Sequence, residues 1–270
     1  MTHLKEDGVD GSSRSVPSAD QVDDALPVRG RRRRRLWSWG LLAIALVVVG
    51  AFAATRSELL DVDEIRVLGP PVPDGQGLST VDIVAATGID LGAALWGVDT
   101  DEVARRVAAE PWVAFVEVDR RWPGTVEVWV RQRVATANAV DPTSAVALLD
   151  AEGTVLEHRA RRLEDLPVVR VDRLGRIGTR MAGLSPLLRA AEAIEPGLGT
   201  WIVALVPSAS GVVVELVGGA EAVLGLGEDY RDEFRSLATV LARVELACIV
   251  EIDVSLHASP VVRRDEVGCE

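Results

Sequence analysis

The strongest hydrophobic pattern of the chain is an uninterrupted run from Leu36 to Thr55 that contains no charged residue. At 1.5 Å per residue the run would form a helix about 30 Å long, which matches the hydrocarbon core of a bilayer. Five arginines, Arg31 to Arg35, precede it, and a single Arg56 follows directly. Because cytoplasmic flanks are enriched in Lys and Arg, the pattern predicts one transmembrane helix with the N-terminus in the cytoplasm.

Four residues are expected to anchor this span. Trp37 and Trp39 would lie at the membrane–water interface, where indole rings are favoured, with Arg35 and Arg56 at the two ends. The alternatives are a buried soluble helix and a cleaved export signal, since Ala51-Phe52-Ala53 fits an A-x-A cleavage site. A cleaved signal is disfavoured because its apolar region is usually only about 7–15 residues long.

Both ends of the chain are predicted to be disordered. Residues 1–35 form a polar cytoplasmic tail with the basic flank at its end, and their few large apolar groups cannot offset the entropy of ordering. Residues 265–270 are a second short tail.

After the span, the periodicity changes between strand and helix in the order β-α-α-β-β. Ser79 and Asp82 form a capping box at the start of the first helix, and Gly88 is suited to end it. Asp99 is placed to cap the second helix. Two helices on one face of a three-stranded sheet would bury the apolar stripes. The predicted elements are 62–68, 79–88, 99–111, 113–120 and 125–133.

The second half of the chain reads mostly as strands with one long amphipathic helix. The fold class is therefore α+β, a single transmembrane helix followed by a β-α-α-β-β unit and a β-rich domain. The predicted strands and extended segments are 146–149, 154–158, 163–171, 201–206, 212–216, 222–226, 248–256 and 260–264, and the predicted helices are 186–194 and 229–244.

Composition argues for binding rather than chemistry. The net charge of −12 disfavours nucleic acid as a partner. The scattered histidines show no nucleophile, zinc or hydrolase motif, so we predict no enzyme, metal, cofactor or small-molecule substrate. Two carboxylates distant in sequence could still converge. The two cysteines, Cys248 and Cys269, could pair outside the cell, although Cys269 is the penultimate residue.

Short motifs occur along the chain after the span. They are Val62 to Gly69, Pro111 to Val113, Val116 to Pro123, Leu149 to Val155, Leu166-Pro167, Val223 to Gly227, Ile252 to Val254 and Pro260 to Arg263. Taken in order, these motifs resemble the FtsQ/DivIB family of bitopic bacterial cell-division proteins. The resemblance implies a POTRA domain at 57–134 and a β domain at 135–264. Two departures are a missing Glu and Pro within Arg131 to Ala135, and Glu233 where the family often has a basic residue.

The resemblance also implies partners and a location. The chain would be a non-catalytic scaffold of the divisome, in the cell membrane at the division septum. It would bind FtsB in complex with FtsL, with FtsW and FtsI reached indirectly. The binding strand would lie in Cys248 to Leu256.

Alternation along that strand predicts two faces. Ile249, Glu251, Asp253 and Ser255 would face the partner, and the residues between them, Val250, Ile252, Val254 and Leu256, would face the core. The other reading is that this strand closes the sheet and its pairing edge is covered. Arg263 and Arg264 would either meet an acidic partner or remain solvated.

Two alternative functions stay open at this point. The first is a membrane-anchored extracytoplasmic hydrolase of the cell wall, which would need acidic or His residues gathered in one cleft. The second is a POTRA-type transport or chaperone module, which usually carries repeated POTRA units or a large barrel.

Overall fold

The computed structural model describes residues 30–54, 61–244 and 248–265, and within the first of these ranges it describes the side chains of Trp37 and residues 39–50. The chain forms two compact units, one up to Ala53 and one from Ala54 onward. The predictions for Arg56 and for both terminal tails fall outside the described residues, apart from the backbone of the basic flank.

The first unit contains helix α1 (Gly30–Ala54), which covers nearly all of the predicted hydrophobic run. Its apolar side chains are exposed around the helix, and each of seven large ones between Leu41 and Val49 is at least 56% exposed. Among the residues whose side chains are described, which in α1 are Trp37 and residues 39–50, no helix has both the length and the apolar character needed to cross a membrane.

The second unit begins with the predicted β-α-α-β-β arrangement. Its sheet has the order β1-β3-β2, with β1 parallel to β3 and β3 antiparallel to β2. A 3₁₀ turn at Leu95–Gly97 separates the two helices. The elements are β1 (Glu64–Leu68), α2 (Thr80–Thr87), α3 (Thr100–Ala108), β2 (Val113–Arg121) and β3 (Thr125–Gln132).

Local signals set the boundaries of these helices. The capping box at Ser79 and Asp82 is present, and Gly88 ends α2 with φ of 62°, a left-handed conformation that glycine adopts without steric cost. The Asp99 carboxylate accepts two backbone N–H groups at the start of α3. Both helices pack on the face of the sheet that carries Val126 and Val128, each 0% exposed. These predictions are confirmed.

The remainder forms a mixed sheet of nine strands in the described residues, ordered β12-β11-β10-β9-β8-β7-β4-β5-β6. Two helices pack on one face and enclose the main core. The strands are β4 (Ala135–Val140), β5 (Val146–Asp150), β6 (Val155–Arg159), β7 (Val168–Arg170), β8 (Ile202–Ser208), β9 (Gly211–Leu216), β10 (Glu221–Gly225), β11 (Ile249–Asp253) and β12 (Val261–Arg264), and the helices are α4 (Ser185–Ala193) and α5 (Arg231–Leu241).

Contacts between the two sheets centre on a small apolar cluster and one ion pair. Trp112, which directly precedes β2 and is 5% exposed, packs with Leu148 and Leu156 of the large sheet. Arg133, between β3 and β4, donates from Nη1 to Asp150 Oδ2 at 2.6 Å. The chain therefore passes from the small sheet to the large one through a packed and hydrogen-bonded junction.

The β6 end of the large sheet is covered by the segment 175–181. Val155 donates to the Thr179 carbonyl at 3.0 Å and accepts from Gly178 N–H at 2.8 Å. The His158 ring contacts the Gly175 carbonyl at 2.9 Å. These bonds occupy backbone groups that an edge strand would otherwise expose.

Candidate functional site

The other end of the large sheet is β12, which pairs antiparallel with β11 and with no other strand of the described residues. We call Val261–Arg264 the open edge. Every second backbone N–H and C=O of such a strand points away from its neighbour. An edge of this kind can accept a strand from another chain.

The strand predicted to bind a partner is not this edge. β11 is an interior strand, paired in parallel with β10 and antiparallel with β12. The alternative reading, in which this strand has its pairing edge covered, matches the observed topology, since β12 covers it. The predicted strand is therefore interior in the described sheet, and its role in binding a partner stays a prediction.

The predicted faces of β11 are also partly wrong. Ile249 is 6% exposed and lies in the core, whereas Val250 is 48% exposed. The register of β11 against β12 shifts between Ile249 and Glu251, and an irregularity of this kind changes which side chains face inward. Leu256 is 72% exposed because the strand ends at Asp253. Ile252 and Val254 are buried as predicted.

Charged groups near the open edge pair within the chain. Arg263 forms an ion pair with Glu251 on the adjacent strand, a contact that the sequence did not predict. Arg264 is exposed. Glu251 and Asp253 are half-buried and Ser255 is exposed, so these three keep some of the accessibility that was predicted for them.

Asp253 is held in its charged form by the residue two positions on. The Ser255 side chain and its backbone N–H, the latter at 2.9 Å from Oδ1, hydrogen-bond to the carboxylate and hold the pKa of Asp253 below its usual value. A depressed folded-state pKa gives stability that is present above the unfolded pKa and is lost as the pH falls through the folded one. The hydrogen bonds to Asp253 therefore contribute to the stability of the turn after β11 at neutral pH, and this contribution is lost at acid pH.

We expect Ser255→Ala to raise the pKa of Asp253, because the side-chain hydrogen bond is the largest cause of the depression. An NMR titration of the Asp253 carboxyl carbon would measure the change. Thr143→Ala is the matched control, since it should raise the pKa of Asp141, which Thr143 lowers, and leave that of Asp253 unchanged. An unchanged pKa of Asp253 in Ser255→Ala would contradict the assignment.

Two further features lie beside the open edge, and sequence reasoning missed the first of them. A groove of about 340 Å³ lies between the outer face of α5 and the loop with His257 and Pro260. Cys248, which precedes β11, is disulfide-bonded and accepts Asp265 N–H at 2.9 Å through its carbonyl. The other cysteine of the sequence, Cys269, lies outside the described residues.

The predicted anchor residues are placed only in part. Trp37 and Trp39 are 75% and 69% exposed on α1. Arg35 lies in the helix with its side chain outside the described set, and Arg56 falls in the gap between 54 and 61.

Comparisons with known proteins agree with this architecture. A family model described as "POTRA domain, FtsQ-type" matches residues 75–133. Three similar proteins are each called "Cell division protein FtsQ". The one from Syntrophotalea carbinolica is 25% identical and covers 84% of each chain. That from Streptomyces bingchenggensis is 27% identical over 86% of each chain, and that from Streptomyces venezuelae is 25% identical over 96% of each.

The small sheet with its two helices is thus a POTRA domain, and the chain is an α+β protein that carries this domain before a large sheet with an open edge. Its similarity to the named relatives extends over most of their length. The chain is similar over most of its length to proteins called "Cell division protein FtsQ", and its small sheet matches the FtsQ-type POTRA domain.

Proposed function

We propose that this chain is a non-catalytic, single-pass membrane scaffold of the divisome that binds other division proteins by adding a strand to its open edge. Its N-terminus lies in the cytoplasm, its two sheets lie outside, and it acts at the septum. The partner at the edge is FtsB in complex with FtsL, which links the chain indirectly to FtsW and FtsI. The observation that carries the proposal is the one-sided pairing of β12 in the described residues.

The membrane part of the proposal is supported by α1 and the sequence around it. A helix that is apolar all round is stable only where its surroundings are apolar. Leu41 to Val49 expose large apolar side chains at 56% or more, which water does not favour. The five arginines before the run and the single Arg56 after it favour a cytoplasmic N-terminus.

The division into a POTRA domain at 57–134 and a β domain at 135–264 is supported by the sheets. The last strand of the small sheet ends at Gln132, and the first strand of the large sheet begins at Ala135. Each sheet has its own core cluster. A boundary at 134 therefore cuts no strand.

The open edge suits an added strand in three respects. Val261 is 62% exposed and offers apolar area, while the half-buried Val262 packs against the core and fixes the strand. Arg264 adds a cation that could meet an acidic side chain of the partner. Backbone hydrogen bonds would supply affinity and alternate side chains would supply specificity.

Val261→Asp is expected to weaken binding of the FtsB–FtsL complex by at least about tenfold, which corresponds to about 1.4 kcal/mol. The added charge must lose water when a strand pairs beside it. Bio-layer interferometry would measure the binding of the FtsB–FtsL complex to the full chain held in nanodiscs.

Val217→Asp is the matched control for that experiment. Val217 is 49% exposed, follows β9 and lies outside the open edge, so its substitution should leave affinity unchanged. Equal binding by Val261→Asp and the unaltered chain would show that the open edge is not the binding site.

A further inference from the structure

One end of the POTRA sheet exposes three large apolar side chains that the proposed strand addition does not use. Leu91 is 66% exposed, Trp96 is 56% exposed and Trp122 is 65% exposed. Tryptophan is among the residues most often buried by contact with a partner or a membrane interface, because its ring is large and carries one polar N–H. Two exposed indoles at one end of a small domain therefore indicate a contact surface.

Backbone hydrogen bonds bring the loops that carry these side chains to the point where the described chain resumes after α1. Val62 donates to the Ala93 carbonyl at 2.8 Å and accepts from Gly92 N–H at 2.9 Å, which holds the loop that carries Leu91 and precedes Trp96. Asp63 donates to the Gly124 carbonyl at 2.7 Å, in the β2–β3 turn that carries Trp122.

A side-chain bond ties the two loops together. Arg120 Nη1 donates to the Trp96 carbonyl at 3.2 Å, and Arg120 lies two residues before Trp122. We call the surface formed by Leu91, Trp96 and Trp122 the linker-proximal patch, because Asp61, where the described chain resumes after α1, lies at this end.

The covalent link to α1 is short. Seven residue steps lead from Ala54, the last residue of α1, to Asp61, where the described chain resumes. A fully extended chain covers at most about 3.6 Å per residue, so the two residues are at most about 25 Å apart. A bilayer crossed by α1 would therefore lie within reach of the linker-proximal patch.

We propose that the linker-proximal patch rests on the outer surface of the membrane, with Trp96 and Trp122 in the headgroup region of the lipid. This inference rests on the proposed function, in which α1 spans the bilayer. Indole rings favour that region because one part of the ring is apolar and the N–H can bond to headgroups or water.

The contact is one of indole and aliphatic groups rather than of net positive charge. Asp61, Asp63 and Asp90 lie at this end of the domain, and Arg121 is already paired with Glu127 at 2.8 Å. We therefore expect the contact to form on neutral phosphatidylcholine and to gain little from anionic lipid.

Lipid quenching of tryptophan fluorescence tests the proposal. The full chain would be placed in nanodiscs of phosphatidylcholine, with or without bromine near the headgroup end of the acyl chains. The double variant Trp37→Phe/Trp39→Phe removes the indoles of α1 and leaves five tryptophans. We expect brominated lipid to quench the tryptophan fluorescence of this variant. The further change Trp96→Phe/Trp122→Phe should reduce the amount of fluorescence that is quenched to less than about a third of that in the double variant.

The control in the same background is Trp129→Phe/Trp201→Phe, whose residues are 39% and 42% exposed and lie outside the patch. The fluorescence of this control variant should still be quenched by brominated lipid. Quenching of the unaltered chain but none after loss of Trp37 and Trp39 would keep the spanning helix and overturn the lipid contact. Absence of quenching in every form would overturn both proposals.

A protein partner at the same patch is the remaining outcome. Brominated lipid would then not quench the fluorescence of Trp96 and Trp122. Acrylamide in the aqueous phase would quench that fluorescence until the FtsB–FtsL complex is added and covers the two rings. That result would assign the linker-proximal patch to a protein and overturn the lipid contact.

Discussion

Replacing Ile252 with Asp is expected to prevent the large sheet from folding. Ile252 is 0% exposed in the middle of β11, where it is paired with Ala222 on one side and Val262 on the other. The change removes a buried aliphatic side chain and buries an unpaired carboxylate, at a combined cost above about 4 kcal/mol. A domain with about 5–15 kcal/mol of stability loses most of it.

A second apolar residue of the same strand supplies the control for this prediction. Val250→Asp changes the same kind of residue two positions away, but Val250 is 48% exposed, so we expect a loss of stability below about 1 kcal/mol. Urea unfolding of the full chain in a mild detergent would compare the two. If Ile252→Asp cannot be purified, Ile252→Ala should still lose about 2–4 kcal/mol. Equal losses for Val250→Asp and Ile252→Asp would contradict the observed register.

Removing the Asp150 carboxylate is expected to destabilise the junction between the two sheets by about 2–4 kcal/mol. Its side chain is 3% exposed and accepts from Arg133 Nη1 at 2.6 Å. It also accepts the backbone N–H groups of Glu152 at 3.0 Å and Thr154 at 2.7 Å. Asp150→Ala leaves these donors without their acceptor in a place that water reaches poorly.

Glu152→Ala separates the effect of burial from that of charge. Glu152 contacts the same Nη1 of Arg133 at 3.0 Å, but its side chain is 59% exposed. Ion pairs at such positions contribute little, so we expect a loss below about 0.5 kcal/mol. The measurement is urea unfolding of the full chain, followed by far-ultraviolet circular dichroism. If Glu152→Ala lowered the free energy of unfolding as much as Asp150→Ala does, the number of carboxylates beside Arg133, and not their burial, would determine the stability of the junction.

The POTRA domain could be predicted from the sequence because its signals are local. The Ser79–Asp82 capping box and Gly88 mark both ends of α2 within ten residues. The alternating Val126, Val128 and Val130 mark the buried face of β3. Each of these patterns involves residues that are close in sequence, so the local structure that it predicts is the one that the folded chain adopts.

Strand β4 was not predicted, because its stability comes from distant residues. Its sequence, ATANAV, is rich in alanine, which has low β propensity. Asn138 is 0% exposed, donates to the carbonyls of Leu163 and Leu166 and accepts the Leu163 N–H, each at 2.8 Å. An asparagine normally suggests a turn, and only the fold brings these three partners to it.

The open edge was misplaced by one strand for a related reason. Strict alternation from Cys248 to Leu256 assumes a regular strand, whereas the register against β12 shifts between Ile249 and Glu251. The final segment at 260–264 was predicted as extended, but sequence alone does not say that it lies outside β11. Sheet order is a non-local property, so the identity of the edge had to come from the structure.

The contrast between the two ends of the large sheet limits how this protein can assemble. The β6 end is occupied by its own chain through segment 175–181, while β12 is paired on one side in the described residues. A sheet that can grow in one direction accepts one strand per chain and cannot extend head to tail into a filament through its edges. Under the proposed strand addition at β12, each copy of this chain would therefore accept one partner strand at this sheet.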